Sequence, residues 1–375
     1  MTGTDDRAPR IGVLGAGVAG LVAALACDFA GLGTVTVHPL AETGGGSLNP
    51  NRGIELRANA TRVLRALGLL DALSGQGHYP QFAYRRAHGS GFLIAQLPIG
   101  QLAEARYGAP AWLIERDVLL AELEDIAGAR GIRTAPPARI ARIDSDGDCA
   151  SITAADGATR SYGVLIATEP ELRPLLGIEP YATDASETLR YGWGSEPDAS
   201  SITHWLGELT ALTVHSTGLR LAFEARGPRD HSFDAWRSPP IEGAFVSLPY
   251  PVGQPAPDWA PGRIALLGGA AHAPLPELRQ DVGAAIEDAW VLARLLDQWE
   301  DESVSALREY HHYRAPRGRQ LATYEARART ARRVAPGSAQ LKARLAAGAM
   351  SRFLPEMALS GEDWLYGYDA VKGFA

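Results

Sequence analysis

The amino-acid sequence predicts a three-layer α/β fold, a doubly wound unit interrupted by a compact β-rich unit and closed by helices. Three observations carry this expectation. The apolar run Ile11–Gly15 turns through glycines into the apolar helical stretch Val18–Phe29 and then into the alternating segment Thr34–Val37, the β-α-β opening of a parallel sheet. Residues 181–254 are richer in Ser, Thr, Pro and aromatics, Trp193, Trp205 and Trp236 among them, which marks a second, sheet-rich unit. Past another buried strand, Ile264–Leu267, the pattern becomes that of two long helices, Val282–Trp299 and Val304–Arg333.

Between these landmarks, Ala58–Leu73 is amphipathic, with Val63, Leu64, Leu67 and Leu70 at helical spacing. Phe82–Leu97 reads as a hairpin turning at His88-Gly89-Ser90-Gly91. Trp112–Ile114 is strand-like and runs into the helix Asp117–Ala127, and Ile132–Thr168 holds short strands parted by Asp146-Gly147 and Asp156-Gly157 turns. The second unit offers three strands, Ile202–Trp205, Leu209–Val214 and Leu219–Glu224. Pro336-Gly337 ends the long helix, Ala339–Met350 reads as a last one, and a tail carries Trp364, Tyr366 and Tyr368. The expected division is a discontinuous first domain of residues 8–80, 101–178 and 255–335, a second domain of 81–100 and 179–254, and a helical tail of 336–375.

Composition narrows the function classes. At 375 residues, 46% hydrophobic and 21% charged, the chain has the make-up of an ordinary globular enzyme with a sizeable core. Its net charge of −7 is spread along the sequence, and the basic stretch Arg327–Arg333 lacks interleaved aromatics, so no nucleic-acid partner is expected. Cys27 and Cys149 are the only cysteines, too few for a disulfide framework or a cysteine zinc site. The adjacent His311 and His312 point to different sides of a helix, and no metal is expected. The first ten residues are polar and no window approaches about 18 apolar residues, which leads to the expectation of a cytoplasmic monomer or homodimer with no membrane partner.

Gly15-Ala16-Gly17-Val18-Ala19-Gly20 stands where a strand passes into a helix. Glycines there permit a tight turn and let backbone N–H groups approach a pyrophosphate, so Gly15, Gly17 and Gly20 are candidate dinucleotide-binding residues. Four further segments follow in order: Gly53–Ala60 with Leu64 and Leu67-Gly68-Leu69, Ile114–Leu119, Gly262–Pro274 with Ile286–Ala289, and Tyr310–Arg317. Together they resemble the class A flavoprotein monooxygenases, the family of 4-hydroxybenzoate and salicylate hydroxylases, from about residue 10 to 330. The resemblance implies a Rossmann-like FAD-binding domain of the GR2 type with an inserted β-rich substrate domain, and a pocket between them for an apolar, ring-containing compound. It implies further that Arg116 reaches the cofactor and that Gly268 and Gly269 lie along its ribityl chain. Relatives carry helical structure where this chain is shortened between Trp236 and Trp259.

Departures from the family cluster at the cofactor. His38-Pro39 stands where the second strand should end in an acid for the ribose hydroxyls, and Thr168-Glu169-Pro170 where the family has Ala-Asp-Gly. Gly269 replaces the aspartate that holds the ribityl chain, and Arg279-Gln280-Asp281 replaces the Gly-Gln-Gly loop facing the isoalloxazine. Each hydrogen bond lost from a buried polar group costs roughly 1–3 kcal/mol. Three or four such losses total on the order of 4–8 kcal/mol, enough to turn a nanomolar site micromolar or millimolar.

The expectation that follows is a protein with no tightly bound FAD, FAD being the cofactor if the site still functions. Its pocket would serve a non-redox cyclisation, elimination or rearrangement of a biosynthetic intermediate, with Asp281, Arg279 and His272 as acid–base candidates. The alternatives are an FAD- and NAD(P)H-dependent aromatic or polyketide hydroxylase and a non-catalytic small-molecule-binding protein. Arg279 and Asp281 are expected to project into the flavin site and pair with each other, with Arg116 or with a ligand. His272 is expected to be buried and hydrogen-bonded, and Glu287-Asp288 to sit at a helix start where acids favour the dipole.

Overall fold

The computed structural model describes residues 11–41, 52–87, 90–194, 201–207, 210–216, 221–229, 242–299, 302–333 and 349–374. The chain opens with β1 (Ile11–Leu14), α1 (Val18–Phe29) and β2 (Val35–His38). Next come β3 (Gly53–Leu56), α2 (Ala58–Ala66), α3 (Leu69–Leu73), the hairpin of β4 (Phe82–Ala87) and β5 (Leu93–Pro98), α4 (Gln101–Tyr107), β6 (Trp112–Glu115) and α5 (Arg116–Ala129). β7 (Arg133–Thr134), β8 (Ile140–Ser145), β9 (Ala150–Ala154), β10 (Thr159–Tyr162) and β11 (Val164–Ala167) follow. The rest is β12 (Ala182–Gly194), β13 (Ser201–Leu206), β14 (Ala211–Ser216), β15 (Leu221–Pro228), β16 (Glu242–Val252), β17 (Ile264–Leu266), α6 (Asp281–Gln298) and α7 (Ser303–Arg333). The short helices α8 (Pro355–Ser360), α9 (Asp363–Tyr366) and α10 (Ala370–Gly373) close it.

Five strands form a parallel sheet in the order β17-β11-β1-β2-β7, with Ile11 opposite both Val164 and Val35. Every residue of β1 and β11 is buried, which is why both are continuous apolar runs rather than alternating ones. α1 packs against α5 and α6, and the antiparallel set β10-β9-β8 joins the same core through Ile140, Ile143 and Ile152. A seven-stranded sheet, β16-β12-β15-β14-β13-β4-β5, is antiparallel except where β13 runs alongside β4. β3 and β6 pair separately, Ile54 opposite Ile114.

Several expectations need correction. The amphipathic run 58–73 is two helices, because Gly68 takes a φ of 70° and ends α2 in the left-handed conformation. β12 and β16, of 13 and 11 residues, were absent from the sequence reading. β16 begins inside the interval read as shortened, whose residues 236–241 lie outside the described ones. So do His88-Gly89 of the expected hairpin turn and all but the end of the expected helix Ala339–Met350. No helix among the described residues is long and apolar enough to cross a membrane.

Charges inside the core lock α6 to α7. Glu287, Asp288 and Arg314 have 0% exposure. Arg314 donates to Asp288 at 2.7 Å and to Glu287 at 2.8 Å, and Arg317 reaches Glu287 at 3.3 Å. Asn59 of α2 donates to Glu287 at 2.6 Å, and His272 Nε2 lies 2.7 Å from Asp288. Glu287-Asp288 therefore sits well inside α6 rather than at its start, and its partners are guanidinium groups rather than the helix dipole. Burial pushes both carboxyls up, but the groups beside them prevail: Arg317 and Arg314 hold Glu287 below the usual carboxylate range, and His272 and Arg314 do the same for Asp288.

Replacing Arg314 with leucine leaves two buried carboxylates facing one arginine, and the expected loss in urea unfolding is about 3–5 kcal/mol. In the wild type the stabilisation is complete above about pH 4 and is lost as pH falls through the lowered folded values. A variant as stable as wild type would contradict this account.

Candidate functional site

β1 delivers the chain to the N-terminal end of α1 through Gly15-Ala16-Gly17. Gly15 holds a φ of 114°, and a side chain on Gly20 would put its Cβ 2.0 Å from the Gly15 carbonyl oxygen. Gly17 caps α1 without a side-chain hydrogen bond, and the first turn has no acidic residue. The positive helix end is therefore met by a group from elsewhere. That group is Glu169, which follows β11: its Oε1 would stand 2.8 Å from a Cβ on Gly17, against the loop that opens α1. Thr168 before it is pinned to the Leu14 carbonyl by its N–H at 3.1 Å and its hydroxyl at 2.9 Å. Burial first, and Glu171 second, push the Glu169 carboxyl above its ordinary value, against the pull of Arg116 at the start of α5.

The replacements at the other cofactor positions have partners of their own. His38 is buried, its Nε2 2.5 Å from the Tyr162 hydroxyl, and burial together with Arg160 lowers its pKa to about 4. Pro170 Cδ stands 2.7 Å from where a Cβ on Gly269 would be, so an aspartate at 269 would have to displace the Pro170 ring. Gly268, with a φ of 56°, is closely packed, for a Cβ there would lie 3.1 Å from Ala19. The Tyr181 hydroxyl donates to the carbonyls of Gly269 and His272.

Arg279 keeps a backbone suited to glycine, with a φ of 52°, the only non-glycine residue at positive φ among those described. Its side chain does not meet Asp281. It crosses to Glu55 of β3 at 2.6 Å and to Thr213 of β14 at 2.9 Å, tying β3 to the seven-stranded sheet. Asp281 pairs with Arg52, and Arg116 with Asp117 at 3.3 Å. The expected pairing of Arg279 with Asp281 or Arg116 is thus corrected: the left-handed turn at 279 and the start of α6 at Asp281 send the two side chains apart.

Around Arg279 lies a polar cluster that the sequence did not reveal, comprising Glu55, Arg57, His204, Thr213, Glu224 and Arg226. Burial opposes the ionised form of Glu55, but Arg279 and Arg57 hold its carboxyl far below the usual range. Burial, then Arg279, keep His204 well below its ordinary value. The Nε atoms of Arg279 and Arg226 are buried without a hydrogen-bond partner among the described residues. Glu55 and Arg57 entered the sequence reading only as members of the Gly53–Ala60 segment. The others come from strands whose register only the folded sheet displays.

His272 is buried on Asp288 and edge-on to Trp259, ring centroids 4.7 Å apart, and belongs to the α6–α7 core. Among the described residues no group of three or more His, Cys, Asp or Glu side chains could hold a metal ion.

No protein-family model matches the chain. Curated relatives match it nearly end to end. A 3-amino-4-hydroxybenzoate 2-monooxygenase of Streptomyces platensis is 28% identical over 355 residues, covering 86% of this chain and 88% of its own. A 6-hydroxynicotinate 3-monooxygenase of Bordetella bronchiseptica is also 28% identical, covering 82% and 88%. Among solved structures, Klebsiella pneumoniae HpxO complexed with FAD and uric acid has a TM-score of 0.80 at 23% identity, over 95% of this chain and 97% of that one. A salicylate hydroxylase substrate complex has a TM-score of 0.74 at 17% identity, over 98% and 97%.

These relatives overturn two expectations, the non-redox cyclase or lyase and the absence of a tightly bound cofactor. The similarity along the chain is to monooxygenases, and a structure of the same fold holds FAD. The sum of lost hydrogen bonds failed because it treated each replacement as independent, whereas Pro170 and Gly269 are one accommodated change.

Gly269→Asp alone is expected to cost about 1–3 kcal/mol through overpacking against Pro170. Combined with Pro170→Gly it should cost less than the two single changes added together, with a coupling of about 0.5–3 kcal/mol in a urea-unfolding cycle. Strict additivity would mean the two positions do not compete for space.

Proposed function

We propose that this chain, a class A flavoprotein monooxygenase in fold and in sequence, is an FAD-dependent hydroxylase of a small aromatic or heteroaromatic acid, with a reduced nicotinamide as electron donor. The observation that supports this most is one of juxtaposition. A glycine cradle at the end of β1 and an arginine-rich cluster at the seven-stranded sheet occur in a chain whose relatives are named for hydroxylating such acids.

The cradle fits a dinucleotide, since Gly15, Gly17 and Gly20 bring backbone rather than side chains to the positive end of α1. Arg116 stands beside it, and the backbone of Gly268 and Gly269 would run along the ribityl chain. When bound, the flavin carries two electrons from the nicotinamide to O2, so that one oxygen atom enters the ring and the other leaves as water.

The chain's own residues bind and orient the substrate. Arg279 is the acid-binding residue in this reading, because its buried Nε lacks a partner and a carboxylate would supply a charge-assisted hydrogen bond. His204, kept neutral by burial and Arg279, can accept a hydrogen bond from a ring hydroxyl. Asp281 and His272, held by Arg52 and Asp288, take positioning roles. A cytoplasmic setting, where reduced nicotinamide is regenerated, belongs to the same reading.

Purified protein supplied with FAD and NADH or NADPH should show oxygen uptake stimulated by 3-amino-4-hydroxybenzoate, 6-hydroxynicotinate or a related hydroxylated aromatic acid, and a product heavier by one oxygen atom. Arg279→Met should raise KM for the acid about tenfold or more with a smaller effect on kcat. An unchanged KM removes Arg279 from the binding site. No stimulated turnover across such acids removes the hydroxylase reading.

A further inference from the structure

Glu169 stands where an incoming pyrophosphate would have to go. An ideal Cβ on Gly15 would lie 2.6 Å from Glu169 Cγ, and one on Gly17 only 2.8 Å from Glu169 Oε1, so the side chain lies directly on the glycine loop. Its carboxylate carbon would lie 3.8 Å from that Gly17 Cβ. α1 brings no acid in its own first turn and no side-chain cap, and Glu169 supplies the negative charge that the helix end lacks. The placement is enforced from both sides: Thr168 is bonded twice to Leu14, and Pro170 opens a 3-10 turn packed against Gly269. An aspartate, the residue the family carries here, is one methylene shorter.

We propose that Glu169 competes with the cofactor for the N-terminal end of α1, its carboxylate occupying the cradle until it swings out to admit a pyrophosphate. The inference rests on the FAD reading above. Two anions cannot share one set of N–H donors, and a diphosphate brings more charge than a carboxylate, so the cofactor can displace the side chain. The groups facing Glu169 are Arg116 from α5, Glu171 from its own turn, the Thr168 hydroxyl at 3.4 Å and the backbone of the glycine loop. Arg116 is the cation toward which a displaced carboxylate can turn. Because burial and Glu171 raise the Glu169 carboxyl, lowering the pH through that raised value removes its charge and favours the cofactor.

The test is the dissociation constant of FAD, read by flavin fluorescence, and of ADP, read by calorimetry, for apoprotein of wild type, Glu169→Ala, Glu169→Asp and Glu171→Ala at pH 8 and in a series of buffers of lower pH. At pH 8 Glu169→Ala should bind both ligands about tenfold tighter or more, with Glu169→Asp between it and wild type and Glu171→Ala within about threefold of wild type. Wild type should tighten more than Glu169→Ala as the pH is lowered through the raised carboxyl value. Equal or weaker binding by Glu169→Ala overturns the competition and leaves the FAD reading standing. Tighter ADP but no FAD binding in any variant upholds the competition and removes the FAD reading, and no binding of either ligand removes both.

Discussion

Four charges that water does not reach, on Glu287, Asp288, Arg314 and Arg317, fix the geometry of the dinucleotide end of the molecule. Taking an ion out of water costs several kcal/mol, and mutual attraction offsets this only when every partner is in place. Here α6 supplies both anions, α7 both cations, α2 supplies Asn59, and the turn after β17 supplies His272. The arrangement reaches the cofactor side as well. Asp288 accepts from the Gly268 N–H at 3.4 Å and pairs with His272, so the turn carrying Gly268 and Gly269 is held from behind. Its backbone has no need of a side chain at 269 to keep its place.

A second use of charge joins the two sheets. Holding Arg279 in the left-handed region costs about 1–2 kcal/mol. Its charge-assisted bond to Glu55, of a kind that contributes about 1.5–3 kcal/mol, offsets that strain, and Thr213 adds a neutral bond. The residue is therefore tolerated where glycine would be at ease. It brings positive charge to the junction between β3 and the seven-stranded sheet.

What was legible in the sequence follows from how local the signal is. The glycine loop and the apolar runs of β1 and β11 could be read because turn geometry and complete burial leave marks within a few residues. The family resemblance singled out Arg116 and the 262–274 segment in advance. Partnerships were not legible. Arg279 finds Glu55 across 224 residues, and Pro170 meets Gly269 across a crossover of the parallel sheet. Glu169 was seen as a departure from a motif, but nothing along the chain shows that its carboxylate lands on Gly17. β12 was missed because its first five positions are mostly exposed and its later ones mostly buried, so no single alternation runs through it.

The C-terminal tail bears on how the molecule is made. Arg57 donates to Glu362 at 3.2 Å and lies over the Tyr366 ring, while Arg62 of α2 holds the carbonyls of Tyr366 and Tyr368. Arg317 likewise takes the carbonyls of Trp364 and Leu365. Arg57 and Glu362 are 305 residues apart, a separation that a ribosome working at about 5–20 residues per second takes roughly 15–60 s to span. For that interval α2 lacks these tail acceptors, and for the first 228 residues after Asn59 it lacks Glu287 of α6 as well. The arginines of this early segment therefore gain their tail partners only after residues 362–368 have been made.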